Sequence, residues 1–282
     1  MLLTKGYEMA SQQYRLSPLM VLTSISSHWE LIHQLTRREI ASRYRGSLLG
    51  MLWSLAHPIV MLMVYTFVFR VVFKASWSRE GESSSEFAVI LFTGLIVCAV
   101  FNECVNRAPT LILNHASYVK KIVFPLEILP WVSLGGALFH MGVSLTVLLV
   151  FHISSRLPLN WTAAILPLLV IPLALYALGV SWFLASVGVF VRDVGHATTV
   201  LTNLMLFLAP VFYPLSSLPD VYHPFMYLNP LTFVVEQSRN VLIMGGVPSW
   251  HWVIVYFLCS TVVAWLGLAW FQRTRKGFAD VL

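Results

Sequence analysis

The chain has 282 residues, 58% of them hydrophobic and only 11% charged, with a mean hydropathy of +0.77. A water-soluble domain carries about 25% charge, so a soluble enzyme or binding module is excluded and the chain reads as an integral membrane protein. Its net charge of +6 sits beside apolar runs, the pattern of positively charged loops at a bilayer, and no nucleic-acid partner is expected.

Residues 1 to 28 form an opening segment, polar over residues 1 to 17, in which MVL at 20 to 22 is too short for the apolar core of a signal peptide. The N-terminus is therefore expected to stay in the cytosol. Residues 29 to 45, WELIHQLTRREIASRYR, suit a helix lying along the membrane surface. At about 100° per residue Trp29, Leu31, Ile32, Leu35, Ile40 and Tyr44 share one broad face, with Glu30, Gln34, Arg37, Arg38 and Arg45 on the other. Basic groups facing anionic headgroups would add roughly 1 kcal/mol each. Glu39 and Arg43 project within the apolar arc, as an i,i+4 pair in the favourable order. Lipid is a poor neighbour for them; a protein partner, a polar ligand or a simple surface pair would each suit. Gly46 and Gly50 have the spacing that lets helices approach closely, and equally suit a hinge before the first span.

Runs long enough to cross roughly 30 Å of hydrocarbon follow, at about 48 to 73, 87 to 106, 126 to 152, 161 to 190, 197 to 213 and 251 to 271. The fifth is the shortest, with Pro210 and Pro214 crowding its far end. In the fourth, Ala177, Ser181 and Ala185 repeat at the spacing of helix packing. Residues 214 to 250 are too apolar for an ordinary loop, yet Pro219, Pro224, Pro230 and Pro248 interrupt them too often for another crossing. Such backbone at membrane depth is tolerated only when protein or water shields it. Within it Glu236 and Arg239 stand at i,i+3, and polar groups near membrane depth are expensive and often functional. Residues 273 to 282 form a short tail.

With both termini inside, 13 of the 18 Lys and Arg fall on inner segments and five on outer ones, as cytoplasmic loops require. Cys98, Cys104 and Cys259 lie in or beside apolar runs without metal spacing and are expected to pack as small hydrophobes. The nine histidines form no HExxH or paired cluster, so no metal site is expected. No GxxxxGK(S/T) occurs, so the chain is not expected to hydrolyse ATP, and no catalytic residue stands out.

Several motifs run along almost the whole chain: RREIASRYRGSLLGMLWS at 37 to 54, VYTFVFRVVFKASW at 64 to 77, VKKIVFPLEILP at 119 to 130, VGVFVRDVGH at 187 to 196, LAPVFYPLSSLP at 208 to 219, YLNPLTFVVEQSRNVLIMG at 227 to 245 and FADVL at 278 to 282. In this order they resemble the membrane subunit of bacterial ABC exporters for lipid-linked polysaccharides, which include O-antigen and teichoic-acid exporters. VFKASW is closer to the O-antigen type. The resemblance implies an all-α fold of six transmembrane helices, with an amphipathic N-terminal interface helix at 29 to 45, a transmembrane domain at 46 to 272, short re-entrant outer helices in a gate region at 214 to 250, and a cytosolic tail. It also implies a homodimer around one pore in the bacterial inner membrane, joined to two ATP-binding subunits that hold ATP and Mg. The cargo would be an undecaprenyl-pyrophosphate-linked glycan. Leu126 stands where many relatives carry arginine, and Ala209 where a hydroxyl is common, so neither a charged contact nor a polar gate contact is expected there.

On that reading Glu39, Arg43, Arg192, Asp193 and the 107 to 125 connection couple the spans to the ATPase, although Arg192 and Asp193 also suit a plain anchor and cap. Arg37, Arg38, Arg43, Arg45, Lys120 and Lys121 lie at the depth where a pyrophosphate head would enter; arginine binds such a group bidentately and lysine as a point charge. Orientation alone is the competing explanation for them. Trp53, Tyr65, Phe69, Phe207, Phe212 and Tyr213 suit the wall of a glycan channel, or an interfacial belt or core. Glu236 and Arg239 suit a structural clamp of the outer gate rather than a sugar contact. A teichoic-acid exporter is the alternative within this class. A membrane enzyme of glycan assembly would have to draw its acids from Glu80, Glu82, Glu86, Asp220 and Glu236 in the outer segments.

Overall fold

In the computed structural model, which describes residues 20–74, 76–77, 83–119 and 124–282, the chain is a helical bundle with no strand among the described residues. Helix α1 (Met20–Ser27) leads into α2 (Trp29–Tyr44). The chain then turns through Gly46 and Gly50, whose φ angles of +83° and +50° lie in the left-handed region that favours glycine. A Cβ built at either would meet nothing within 4 Å, so these glycines serve as the hinge and not as a site of close helix approach within the subunit.

Helix α3 (Trp53–Thr66) continues through a wider turn to Val72. Helix α4 (Ser84–Leu111) opens on a reciprocal cap: the Ser83 hydroxyl accepts from the Glu86 backbone N–H while the Glu86 carboxylate accepts from that of Ser83, both at 3.1 Å. Glu86 thus belongs to a helix start. Helix α4 also runs five residues beyond the expected end at 106, so Arg107 is a helical residue and not part of the following connection. Then come α5 (Leu129–Ser154), α6 (Leu166–Phe190), α7 (Val194–Leu208), α8 (Pro230–Arg239) and α9 (Trp250–Thr274).

Among the described residues, five stretches are long and apolar enough to cross a membrane: Gly50–Val72, Ser84–Leu111, Leu126–Ser154, Trp161–Phe190 and Trp250–Val281. Helix α7 has only 15 residues, about 22 Å of rise. It starts earlier than the expected 197 and stops well short of 213, because Ala209 precedes Pro210 and is driven to an extended conformation (φ −73°, ψ 146°). The gate region makes short helical pieces, His223–Tyr227 and α8, as its prolines dictate.

Helix α4 is the buried axis, flanked by α5, α6 and α8. Glycines seat the helices around it. A Cβ at Gly188 would lie 2.2 Å from the Pro109 carbonyl oxygen, and one at Gly267 on α9 only 2.0 Å from that of Gly179 on α6. Ala177, Ser181 and Ala185 are all buried along α6, the packing role their spacing suggests. Cys98 and Cys104 are buried as well, whereas Cys259 is exposed.

The tail is no free appendage. Phe278 is fully buried against Phe271 and Phe190, and Arg275 donates to Glu127 Oε2 at 2.8 Å and to the Phe124 carbonyl at 3.0 Å. The N-terminal helices, the tail and the α6–α7 turn therefore share one end of the bundle, and the gate region occupies the other. Apolar side chains on α3, α7 and α9, among them Ile59, Met63, Leu204, Phe207, Ile254 and Leu258, stay exposed.

Candidate functional site

At the end of the bundle shared by the termini, α2 lies across α5. Ile32 buries itself against Ile128 and Val132, with Leu31 and Leu35 alongside. Thr36 comes so close to Gly135 that a Cβ there would be 2.8 Å away. Part of the apolar face of α2 therefore covers protein instead of lipid, while Trp29 remains exposed.

Seating α2 on α5 settles the partners of Glu39 and Arg43. They do not pair with each other. Glu39 forms its ion pair with Arg107, and Arg43 forms one with Glu103. Both partners lie on α4, one turn apart. On α5, His140 Nδ1 lies 3.0 Å from both Glu103 Oε2 and Arg43 Nη1, and its Nε2 lies 3.1 Å from the Tyr44 hydroxyl. Arg107 Nη1 is a further 3.7 Å from Glu103 Oε1. Two carboxylates, two guanidiniums and an imidazole thus tie α2 to both α4 and α5. Glu103 and His140 were not among the expected site residues. The available signal was an acid inside an apolar run, since polar groups in spans are costly and tend to be paired.

Beside this network a cleft of about 580 Å³ opens between α3, α4 and α5. Arg43, Tyr44, Trp53, His57, Glu103 and His140 line its polar end, and Tyr65, Phe92 and Leu95 line the other. Of the expected channel aromatics, Trp53 and Tyr65 face this cleft. Phe212 is buried, stacked on Phe69 at 4.8 Å and flanked by Phe207 at 5.5 Å and Tyr65 at 6.0 Å. The Tyr213 hydroxyl donates back to the Phe207 carbonyl at 3.2 Å. Within one subunit this is a packed aromatic cluster at the α3–α7 border, and Phe207 is its exposed member.

Arg37, Arg38 and Arg45 are exposed on α2, and Arg192 and Asp193 are exposed in the turn between α6 and α7. Lys120 and Lys121 lie outside the described residues.

At the opposite end the Glu236, Arg239 pair is a clamp of wide reach. Arg239 is 1% exposed. Its guanidinium donates to the carbonyls of Ile90 on α4 (3.1 Å), Pro210 (2.5 Å) and Val211 (2.8 Å), and to Glu236 Oε1 at 3.1 Å. It also stacks over the Trp77 ring at 4.6 Å. One planar fork therefore satisfies the Pro210 and Val211 carbonyls, which the break after α7 leaves without helical partners, and ties them to α4 through Ile90. On the same side Thr162 donates to the Val241 carbonyl at 2.6 Å and Asn229 to that of Met205 at 2.7 Å, fixing the gate region to the bundle.

Apolar helices of spanning length, with a charged helix strapped across one end and a proline-broken cap on the other, define a polytopic membrane protein. Residues 30–243 match the ABC-2 type transporter family. The chain belongs to that family and is the membrane component of a transporter. It is similar to the O-antigen export system permease protein RfbA of Klebsiella pneumoniae, 25% identical over 90% of this chain and 95% of the relative. The protein of the same name from Myxococcus xanthus is 27% identical over 89% and 94%. The polysialic acid transport protein KpsM of Escherichia coli is 24% identical over 87% and 93%.

Proposed function

We propose that this chain is the membrane subunit of an exporter that moves a lipid-linked polysaccharide, of O-antigen type, across the bacterial inner membrane. ATP and Mg are bound and ATP hydrolysed in a separate subunit, two copies of which join two copies of this chain, with both termini cytosolic. The observation that carries the reading is similarity to O-antigen permeases along nine tenths of the chain, in a helical bundle without any phosphate-binding loop of its own.

The geometry supports a division of labour. The double tie of α2 through Glu39–Arg107 and Arg43–Glu103 makes α2 a strap whose displacement would move α4 and α5 together, the small shift of packed helices on which switching depends. We assign coupling to this strap and to the exposed Arg192, Asp193 turn. Arg37, Arg38 and Arg45 are free to meet anionic headgroups, with Lys120 and Lys121 proposed beside them. The aromatic cluster around Phe212, near the exposed faces of α3 and α7, suits a channel border formed when a second copy joins, and the Arg239 clamp holds the outer gate.

Expression of this chain with an ATP-binding partner in a strain lacking its own O-antigen exporter tests the proposal. Surface glycan should return only when both are present. Internal accumulation of glycan despite stable expression of both would refute it.

A further inference from the structure

We propose that the cleft between α3, α4 and α5 is a docking chamber for the diphosphate head of a polyprenyl lipid, which enters by drawing Arg43 away from Glu103. The inference rests on the exporter reading and concerns where, within one subunit, the cargo's anionic head is held.

The shape of the cleft fits an amphiphile. From Glu103 to Phe92 it follows α4 for about 16 Å, polar where α2 crosses and apolar toward the middle of the span. Asn102 lies in its wall, its side-chain oxygen shut off from solvent and without a hydrogen-bond partner among the described residues. A hydroxyl on the incoming head group would supply the missing donor.

The charges fit an exchange. Arg43 is the cation lining the cleft, its Nη2 on Glu103 and its Nη1 3.0 Å from His140 Nδ1, with its side chain still 32% exposed; turning to a phosphate would exchange both contacts. If Arg43 turned to a phosphate, Glu103 would not be stranded. His140 Nδ1 remains at 3.0 Å and Arg107 Nη1 at 3.7 Å. Breaking a partly buried pair is costly when it leaves a charge alone, and here neither charge is left alone. A guanidinium also binds phosphate as well as carboxylate, in the same forked geometry. His57, on the α3 wall of the cleft, offers a second nitrogen to the bound head. Glu39 stays on Arg107 throughout, so α2 keeps one of its two ties while the other is exchanged.

The test is binding of radiolabelled undecaprenyl diphosphate to the full-length protein, assembled with its ATP-binding partner in nanodiscs. Glu103→Gln releases Arg43 from its carboxylate and should tighten binding about fivefold, whereas Arg43→Gln should weaken it tenfold or more. Ala99 is an exposed residue on the cleft wall, and Ala99→Trp should abolish binding with an unchanged unfolding midpoint. That variant carries the test if Glu103→Gln folds poorly. Unlabelled undecaprenol and phosphatidylglycerol should compete poorly. Equal competition by either, or an Ala99→Trp affinity within twofold of the wild type, would overturn the proposal. Glycan export by the wild-type pair, measured in parallel, separates the two readings. Export without binding in the cleft sinks only this inference, and absence of export sinks the exporter reading.

Discussion

Arg239→Lys isolates the geometry of the outer clamp from its charge. The guanidinium reaches three carbonyls in three directions, those of Ile90, Pro210 and Val211. An ammonium on a shorter, non-planar head reaches one of them well. Two bonds from a charged donor, at about 1.5 kcal/mol each, are lost, so the variant should be less stable by about 3 kcal/mol. Hydrogen bonds inside membrane proteins average nearer 0.6 kcal/mol in measured cycles, but the Pro210 and Val211 acceptors belong to the break after α7, outside any helix. The assay is denaturant unfolding in detergent, followed by the reaction of Cys98 and Cys104 with a thiol-reactive dye. Both cysteines are buried and react only on opening; the exposed Cys259 is removed by Cys259→Ser. Glu236→Gln is the control, since its carboxylate is 30% exposed and should cost under about 1 kcal/mol. Equal stability of Arg239→Lys and the parent would refute the clamp.

Charge reversal at Glu39 (Glu39→Arg) should uncouple hydrolysis from export, and the double exchange Glu39→Arg with Arg107→Glu should restore it in a coupled ATPase and export assay. Reversal at Arg192 (Arg192→Glu) should leave the unfolding midpoint unchanged while weakening copurification of the ATP-binding subunit, because that side chain is exposed. Gly267→Ala sets a methyl group 2.0 Å from the Gly179 carbonyl oxygen and should destabilise by about 1–3 kcal/mol in the same dye assay. Phe212→Leu removes stacking from the buried aromatic cluster and should reduce export more than the same change at the exposed Phe207.

Helices of spanning length were legible because apolar runs and prolines act locally. The starts at Gly50, Trp161 and Trp250 fall within two residues of the expected ones. Glu39 and Arg43 stood out as misplaced in an apolar arc, and they do need protein partners. Which partners was not legible, because Glu103, Arg107 and His140 are 60 or more residues away in sequence and meet Glu39 and Arg43 only once α2 has crossed α5. The end of α4 was misjudged for a related reason: Arg107 reads as a loop anchor until Glu39 is seen to neutralise it. Glu236 and Arg239 stand out together in the sequence, but two of the three carbonyl acceptors of Arg239 arise from the break at Ala209 and Pro210 and the third belongs to α4, and no local pattern encodes where these lie relative to α8. Nothing local in residues 273 to 282 signals that Phe278 would find Phe271 and Phe190.

The central claim is that these helices move cargo only when another subunit supplies the work. Proteoliposomes holding the purified chain alone, or the chain with its ATP-binding partner, should be given lipid-linked glycan and ATP, and the glycan reaching the far leaflet measured. Transfer should occur in the paired vesicles and stop when ATP is withheld. Transfer, or chemical alteration of the glycan, by the chain alone would contradict the account.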